Sequence, residues 1–294
     1  MHMSTVHFTF TGLSAFFLSV FAASAVAAEP LKPFKDELFS SNAVIESRDG
    51  GDYEVIDYDE MRDINGRDQV PERRAKGKYV ARLKQKPVAE ALVLDRGNLE
   101  LSRVGAATNA SFTVIFIHGR GGDRRLGMND YTFGGNFNRL KNLAVENGGA
   151  YYAPSMQGFD DQDVRGIATL IDRAAKLSPG RPVILSCASM GSFICWGIAR
   201  RPETVAQLKG MVILGGATDP DFKKSAAYKA KLPIWFTHGS RDSVYAAKDQ
   251  TALYKQLHKT GYPVRFTLFE TGSHGTPVRM TDWRSVLNWI IAAR

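Results

Sequence analysis

The sequence predicts an α/β fold, with a mostly parallel central sheet and helices on both of its faces. Three observations carry that prediction. From about residue 112 onward, short and continuously apolar runs alternate with stretches of helical character, the pattern of a parallel sheet covered on both sides. The 294 residues suit one large domain or two small ones, and 44% of them are hydrophobic, enough to fill a core. Candidate functional residues also fall just after strand ends, where sheets of this kind bind ligands.

The first 28 residues contain no Lys, Arg, Asp or Glu. An apolar stretch at residues 13–21 leads to the small residues Ala25-Val26-Ala27-Ala28, followed by Glu29-Pro30. This reads as an export signal removed near Ala27 or Ala28, although its leading residues lack the usual basic side chain. The mature chain is then expected to be periplasmic or secreted, with no stable membrane insertion. Residues 29–52 are polar and turn-rich and read as an extended arm, leaving residues 53–294 as a single domain.

Within that domain, residues 53–58 (YEVIDY) alternate like a strand, and residues 92–101 (LVLDRGNLEL) read as a hairpin turning at Asp95-Arg96-Gly97-Asn98. These predict antiparallel N-terminal strands. The alternating series then runs through TVIFIHG (113–119), FNRLKNLAVENG (137–148), AYYAPSM (150–156), DVRGIATLIDRAAKLS (163–178) and PVILSCAS (182–189). It continues with SFICWGIARRPETVAQ (192–207), GMVILGG (210–216), PIWFTHG (233–239), AAKDQTALYKQLHKTG (246–261), VRFTLFE (264–270) and DWRSVLNWIIAAR (282–294). No repeat or low-complexity segment interrupts it.

Charge narrows the partners. The 38 Lys and Arg outnumber the 30 Asp and Glu, for a net +8. Much of the excess lies in residues 71–86, but no nucleic-acid-binding motif accompanies it, so it reads as a solvated basic face and not as a nucleic-acid site. Asp160-Asp161-Gln162-Asp163 lacks the Gly and terminal Glu of a calcium loop and fits the first turn of a helix instead. No metal or other cofactor is expected. Two cysteines in an oxidising compartment would ordinarily suggest a bridge. Cys187, however, stands at a predicted strand end, and Cys195 lies more than a turn into the next helix. That placement predicts Cα atoms too far apart to bridge, and two buried thiols.

The stretch VILSCASMGSFICWG (183–197) holds five candidate nucleophiles. Ser186 and Cys187 fall in the strand, while Ser192 and Cys195 fall in the helix. Ser189 sits at the junction, with Gly191 two residues on. Three other strand ends bear on it. IFIHGRGGDRR (115–125) ends a strand in His118-Gly119 and a glycine-rich loop; PIWFTHGSRDSV (233–244) runs out to Asp242; TLFETGSHGTP (267–277) places His274 in a short loop. His118 and His238 precede Gly at strand ends, where such residues support loops. His258 lies near a helix C-terminus, where a cation is favourable. His274 remains as the candidate base.

From about residue 112 to the end, these motifs resemble the α/β-hydrolase superfamily, in its compact esterase and dienelactone-hydrolase-like form. Cys187 stands where the G-x-S-x-G elbow has glycine, and Ser189 stands where a dienelactone hydrolase has cysteine. The resemblance implies an α/β-hydrolase fold and a triad of Ser189, Asp242 and His274 in the chain order of that superfamily. It also implies an oxyanion hole from the amides of Met190 and of Arg120 or Gly119, and a small-molecule ester as substrate. A serine peptidase or amidase, or a non-catalytic binding protein of the same fold, are the alternatives. Only ATDPDFKKSAAYKAKL (217–232) separates two strands where relatives insert a lid, so no large cap domain is expected. In the loop 122–137, Arg124, Arg125 and Tyr131 are candidate substrate-binding residues, the arginines for an anionic or polar group.

Overall fold

A computed structural model describes residues 1–2, 30–70 and 73–293 of the chain. The segment read as an export signal, apart from its first two residues, lies outside the described residues, as does its expected cleavage position.

Among the described residues, ten strands form one sheet. They are β1 (Val44–Arg48), β2 (Tyr53–Ile56), β3 (Val88–Val93), β4 (Asn98–Gly105), β5 (Thr113–Ile117), β6 (Ala150–Pro154), β7 (Val183–Ala188), β8 (Gly210–Leu214), β9 (Ile234–Gly239) and β10 (Val264–Phe269). Their order across the sheet is β1-β2-β10-β9-β8-β7-β5-β6-β4-β3. From β2 to β6 every pairing is parallel. The antiparallel pairings are at the two edges, β1 with β2 on one side and β4 with β6 and β3 on the other.

Strands β5 to β9 are buried along their whole length, which is why their sequences are apolar without alternation. Helices α2 (Asp161–Leu177), α3 (Ser192–Ala199) and α4 (Ala247–His258) cover one face, where Ile167, Ile171, Ile194, Ile198 and Leu257 pack on Leu185, Ile213 and Phe236. Helices α1 (Asn136–Glu146) and α5 (Trp283–Ala292) cover the other, setting Leu140, Leu143, Leu287 and Ile290 against Val114, Ile184 and Val212. The side-chain period of two sends alternate residues of β7 to opposite faces, Leu185 and Cys187 to the first and Ile184 and Ala188 to the second.

Local signals behave as their chemistry requires. Asp160 caps α2, accepting from the amides of Gln162 at 2.9 Å and Asp163 at 3.2 Å, so the acidic run serves a helix N-terminus. The β3–β4 hairpin turns at the expected residues, with Gly97 at φ +75°. Between β8 and β9 the chain makes one short 3₁₀ turn and a four-residue helix, with no cap domain.

Two features depart from the sequence reading. Part of the stretch read as an arm is strand β1, exposed at all five positions; an edge strand that faces no core carries no apolar pattern to betray it. The expectation of two free thiols is overturned, because Cys187 and Cys195 form a disulfide with Cα atoms 6.2 Å apart. A single tight turn reverses the chain after β7 and lays α3 back over the strand, so the inner face of the helix meets the face of β7 that carries Cys187. Distance along the chain was a poor guide because the chain doubles back.

Candidate active site

β7 delivers Ser189 to the carboxyl edge of the sheet. Ser189, Met190 and Gly191 form one 3₁₀ turn that runs directly into α3. The turn holds Ser189 at φ +53°, a left-handed conformation that costs a non-glycine residue free energy and persists only under surrounding constraint. Gly191 supplies part of that constraint. A β-carbon there would lie 2.6 Å from the His118 carbonyl oxygen and 2.9 Å from that of Ile117, so α3 starts hard against the end of β5.

β9 and β10 deliver the next two groups through loops that interlock. A β-carbon on Gly239 would lie 2.3 Å from the Gly272 carbonyl oxygen. The Arg241 amide donates to that same oxygen at 2.9 Å, and the Thr271 amide donates to Ser240 Oγ at 2.8 Å. Asp242 and His274 are therefore held as a unit. His274 Nδ1 lies 2.8 Å from Asp242 Oδ2, and its Nε2 lies 2.7 Å from Ser189 Oγ.

The Asp242 carboxylate is fully enclosed. Oδ1 accepts from the amides of Val244 at 2.8 Å and Tyr245 at 3.1 Å. Oδ2 faces His274 and, at 3.2 Å, His238 Nε2. Burial alone would push this carboxyl up, but the hydrogen bonds from His238, His274 and the two amides outweigh it and hold the group well below the usual carboxylate range.

The loop after β5 closes the other side. Gly119 touches Ser189, and His118 turns inward beneath it, with Nδ1 donating to the Gly119 carbonyl at 2.7 Å and Nε2 accepting from the Met156 amide at 2.9 Å. Burial of this ring depresses its pKa, against the pull of the Gly119 bond, and both contacts are those of a neutral imidazole. Met190 lies in the opening turn before α3, where amides have no intrahelical acceptor.

Ser189 and His274 open into a cleft of about 580 Å³. Gly119, Arg120, Met190 and Tyr245 line it together with the apolar side chains Phe116, Leu126, Phe133, Phe137, Leu214 and Val278. Among the described residues no group of His, Cys, Asp and Glu is arranged to hold a metal ion, and no helix is long and apolar enough to cross a membrane.

No family model matches the chain, and no curated protein sequence matches it. Solved structures match it in fold. A thermostable esterase aligns with a TM-score of 0.55 at 18% identity, over 69% of this chain and 62% of the esterase. An S-formylglutathione hydrolase from Staphylococcus aureus aligns at 0.51 and 13% identity, over 72% of this chain and 99% of that one. An acylaminoacyl peptidase from Pyrococcus horikoshii aligns at 0.51 and 14%, over 67% and 39% respectively. The chain has the α/β-hydrolase fold.

Within the hydrolase fold, the site residues anticipated from sequence divide into two groups. Ser189, Asp242, His274, Met190, Arg120 and Gly119 come together at one end of the sheet. Arg124, Arg125 and Tyr131 do not line the cleft that holds Ser189. Arg124 reaches Ser102 at 3.2 Å on β4, Arg125 pairs with Asp123, and Tyr131 lies under the guanidinium of Arg74 at 4.5 Å. The loop that carries them turns its apolar residues, Leu126 and Phe133, toward the cleft instead. Those apolar positions are the signal of the cleft that the loop carries in its sequence. His238, which precedes glycine at a strand end as a loop support does, also contacts the Asp242 carboxylate directly.

Proposed function

We propose that the chain is an exported serine hydrolase that cleaves carboxylic ester bonds through an acyl-enzyme on Ser189. The observation that carries this reading is the unbroken line Ser189 Oγ, His274, Asp242, with contacts of 2.7 and 2.8 Å, at the floor of an open cleft. In this reading Ser189 Oγ attacks the acyl carbonyl and its proton passes to His274 Nε2. Asp242 fixes the tautomer of His274 and stabilises the imidazolium as it forms. The amides of Met190 and of Gly119 or Arg120 receive the oxyanion, at the positive end of α3. His274 then returns the proton to the departing alkoxide, and water releases the acid by the same steps in the deacylation half-reaction.

A cleft of about 580 Å³ has the size of a small-molecule site, and its apolar lining suits an uncharged acyl or alcohol group. The Cys187–Cys195 disulfide supports export, since such bonds persist in oxidising compartments. The test is steady-state hydrolysis of short-chain aryl esters beside peptide amides. Turnover of the esters, lost in Ser189→Ala, is the expected result. Turnover confined to amides would replace the ester reading with a peptidase.

A further inference from the structure

His238 is the penultimate residue of β9 and is completely buried. Its Nδ1 lies 2.6 Å from Gln250 Oε1. Its Nε2 lies 2.9 Å from the Tyr245 carbonyl oxygen and 3.2 Å from Asp242 Oδ2. All three facing atoms are acceptors. The Gln250 amide cannot be turned to present its NH2, because that group already donates to the Gly216 carbonyl at 3.3 Å; turning it would set two carbonyl oxygens against each other. A neutral imidazole has a single N–H and would leave one ring lone pair pressed against an oxygen lone pair. His118, at the matching position after β5, has one acceptor and one donor around its ring and needs no second proton.

We propose that His238 is a buried imidazolium ion-paired with Asp242, and that it sets the acid limit of activity by drawing on the carboxylate that also serves His274. The kinetic part of this proposal rests on the serine-hydrolase reading; the charge state of His238 does not. Among the described residues, Asp242 is the charged group that faces His238. Gln250 on α4, Gly216 after β8 and Tyr245 supply neutral dipoles. Burial disfavours the cation, but the bonds to Asp242, Gln250 and Tyr245 outweigh it and raise the pKa above the ordinary histidine value. When acyl transfer places a second positive charge on His274, that charge meets a carboxylate already paired, with a like charge behind it. Protonation of the base is thereby opposed, and activity extends to lower pH than it would with a neutral donor at residue 238. His238 acts through Asp242 and is a positioning residue.

The experiment has two arms. In the first, kcat/KM for an aryl ester is measured against pH for the wild type and His238→Gln, whose amide can still donate to Asp242 but carries no charge. The expected result is an acid limb displaced upward by roughly two pH units, the size of the repulsion between two charges that share one carboxylate oxygen at an effective dielectric near 20. An unmoved or downward-moving limb would overturn the proposal. In the second, the full chain carrying Ser189→Ala and 15N-labelled histidine is examined by NMR at pH 7.5. One ring with both nitrogens protonated is expected. Its identity is checked by its loss in His238→Gln or, should that variant not fold, by the shift of its Nδ1 signal in Gln250→Glu. A His238 ring with one unprotonated nitrogen overturns the proposal. Absence of Ser189-dependent turnover would remove the hydrolase reading and leave the NMR arm to decide the charge state alone.

Discussion

A β-carbon placed on Gly119 would lie 2.8 Å from Ser189 Cβ and 3.1 Å from its Oγ. The loop after β5 thus leaves no room for a side chain beside the proposed nucleophile, and it carries the Gly119 and Arg120 amides proposed to receive the oxyanion. Donors fixed at such a point are worth roughly 10²–10³ in rate. Gly119→Ala must push Ser189 or the loop aside, and kcat/KM is expected to fall by about 10² or more while the melting temperature stays close to wild type. Wild-type kinetics in that variant would mean the oxyanion forms elsewhere.

Asp242 accepts from four donors: two amides and two imidazole rings. Asp242→Asn must turn an NH2 toward one of them, so a donor meets a donor whichever way the amide lies. The expected kcat loss is about 10⁴, as when a triad acid no longer fixes its histidine tautomer. A pH dependence follows with a definite sign. Because the folded carboxyl is held below its unfolded value of about 3.9, its stabilising contribution is complete above that pH. It is lost as pH falls through the folded value. Urea unfolding at pH 5 and pH 3, in a His238→Gln background so that the buried ring adds no protonation of its own, should therefore show a larger loss with Asp242 than with Asp242→Asn. Equal losses would contradict the assignment.

Cys187 and Cys195, eight residues apart, close a short loop across the turn after β7. A bridge over a loop of this length contributes about 2–3 kcal/mol by restricting the unfolded chain. The double variant Cys187→Ala/Cys195→Ala should melt roughly 5–10 °C lower than the wild type. Alkylation in denaturant should label neither cysteine until a reductant is added. Labelling without reductant would mean that the thiols are free.

The parallel core was legible because β5 to β9 are buried on both faces and so read as unbroken apolar runs. Ser189, Asp242 and His274 were legible because each follows such a run, in an order known from hydrolases. What escaped has a common physical origin: it depends on which faces meet. The disulfide depends on α3 folding back over β7. The positions of Arg124 and Arg125 depend on how the loop rolls as it leaves β5. The contact between His238 and Asp242 depends on a turn that sets residue 242 back against the end of its own strand. β1 escaped for a different reason, since an exposed edge strand leaves no periodic trace.

Arg279 Nη2 lies 2.6 Å from Asp68 Oδ2, and both side chains are buried. Arg279 belongs to the short helix Thr276–Met280 that follows His274, so this pair fastens the segment around residue 68 to the helix behind the proposed base. Removing one partner leaves an uncompensated buried charge, and Asp68→Asn or Arg279→Met is expected to cost about 3–5 kcal/mol in urea unfolding. A cost below about 1 kcal/mol, typical of an exposed pair, would contradict the burial.

The most direct measurement is covalent labelling of the purified protein with a fluorophosphonate, followed by peptide mapping, with Ser189→Ala alongside. The positive-φ turn, the contact with His274 Nε2 and the open cleft all converge on Ser189 Oγ. The expected result is stoichiometric modification at Ser189 and none in the variant. An unlabelled wild-type protein, or label that persists in folded Ser189→Ala, would contradict the serine-hydrolase account.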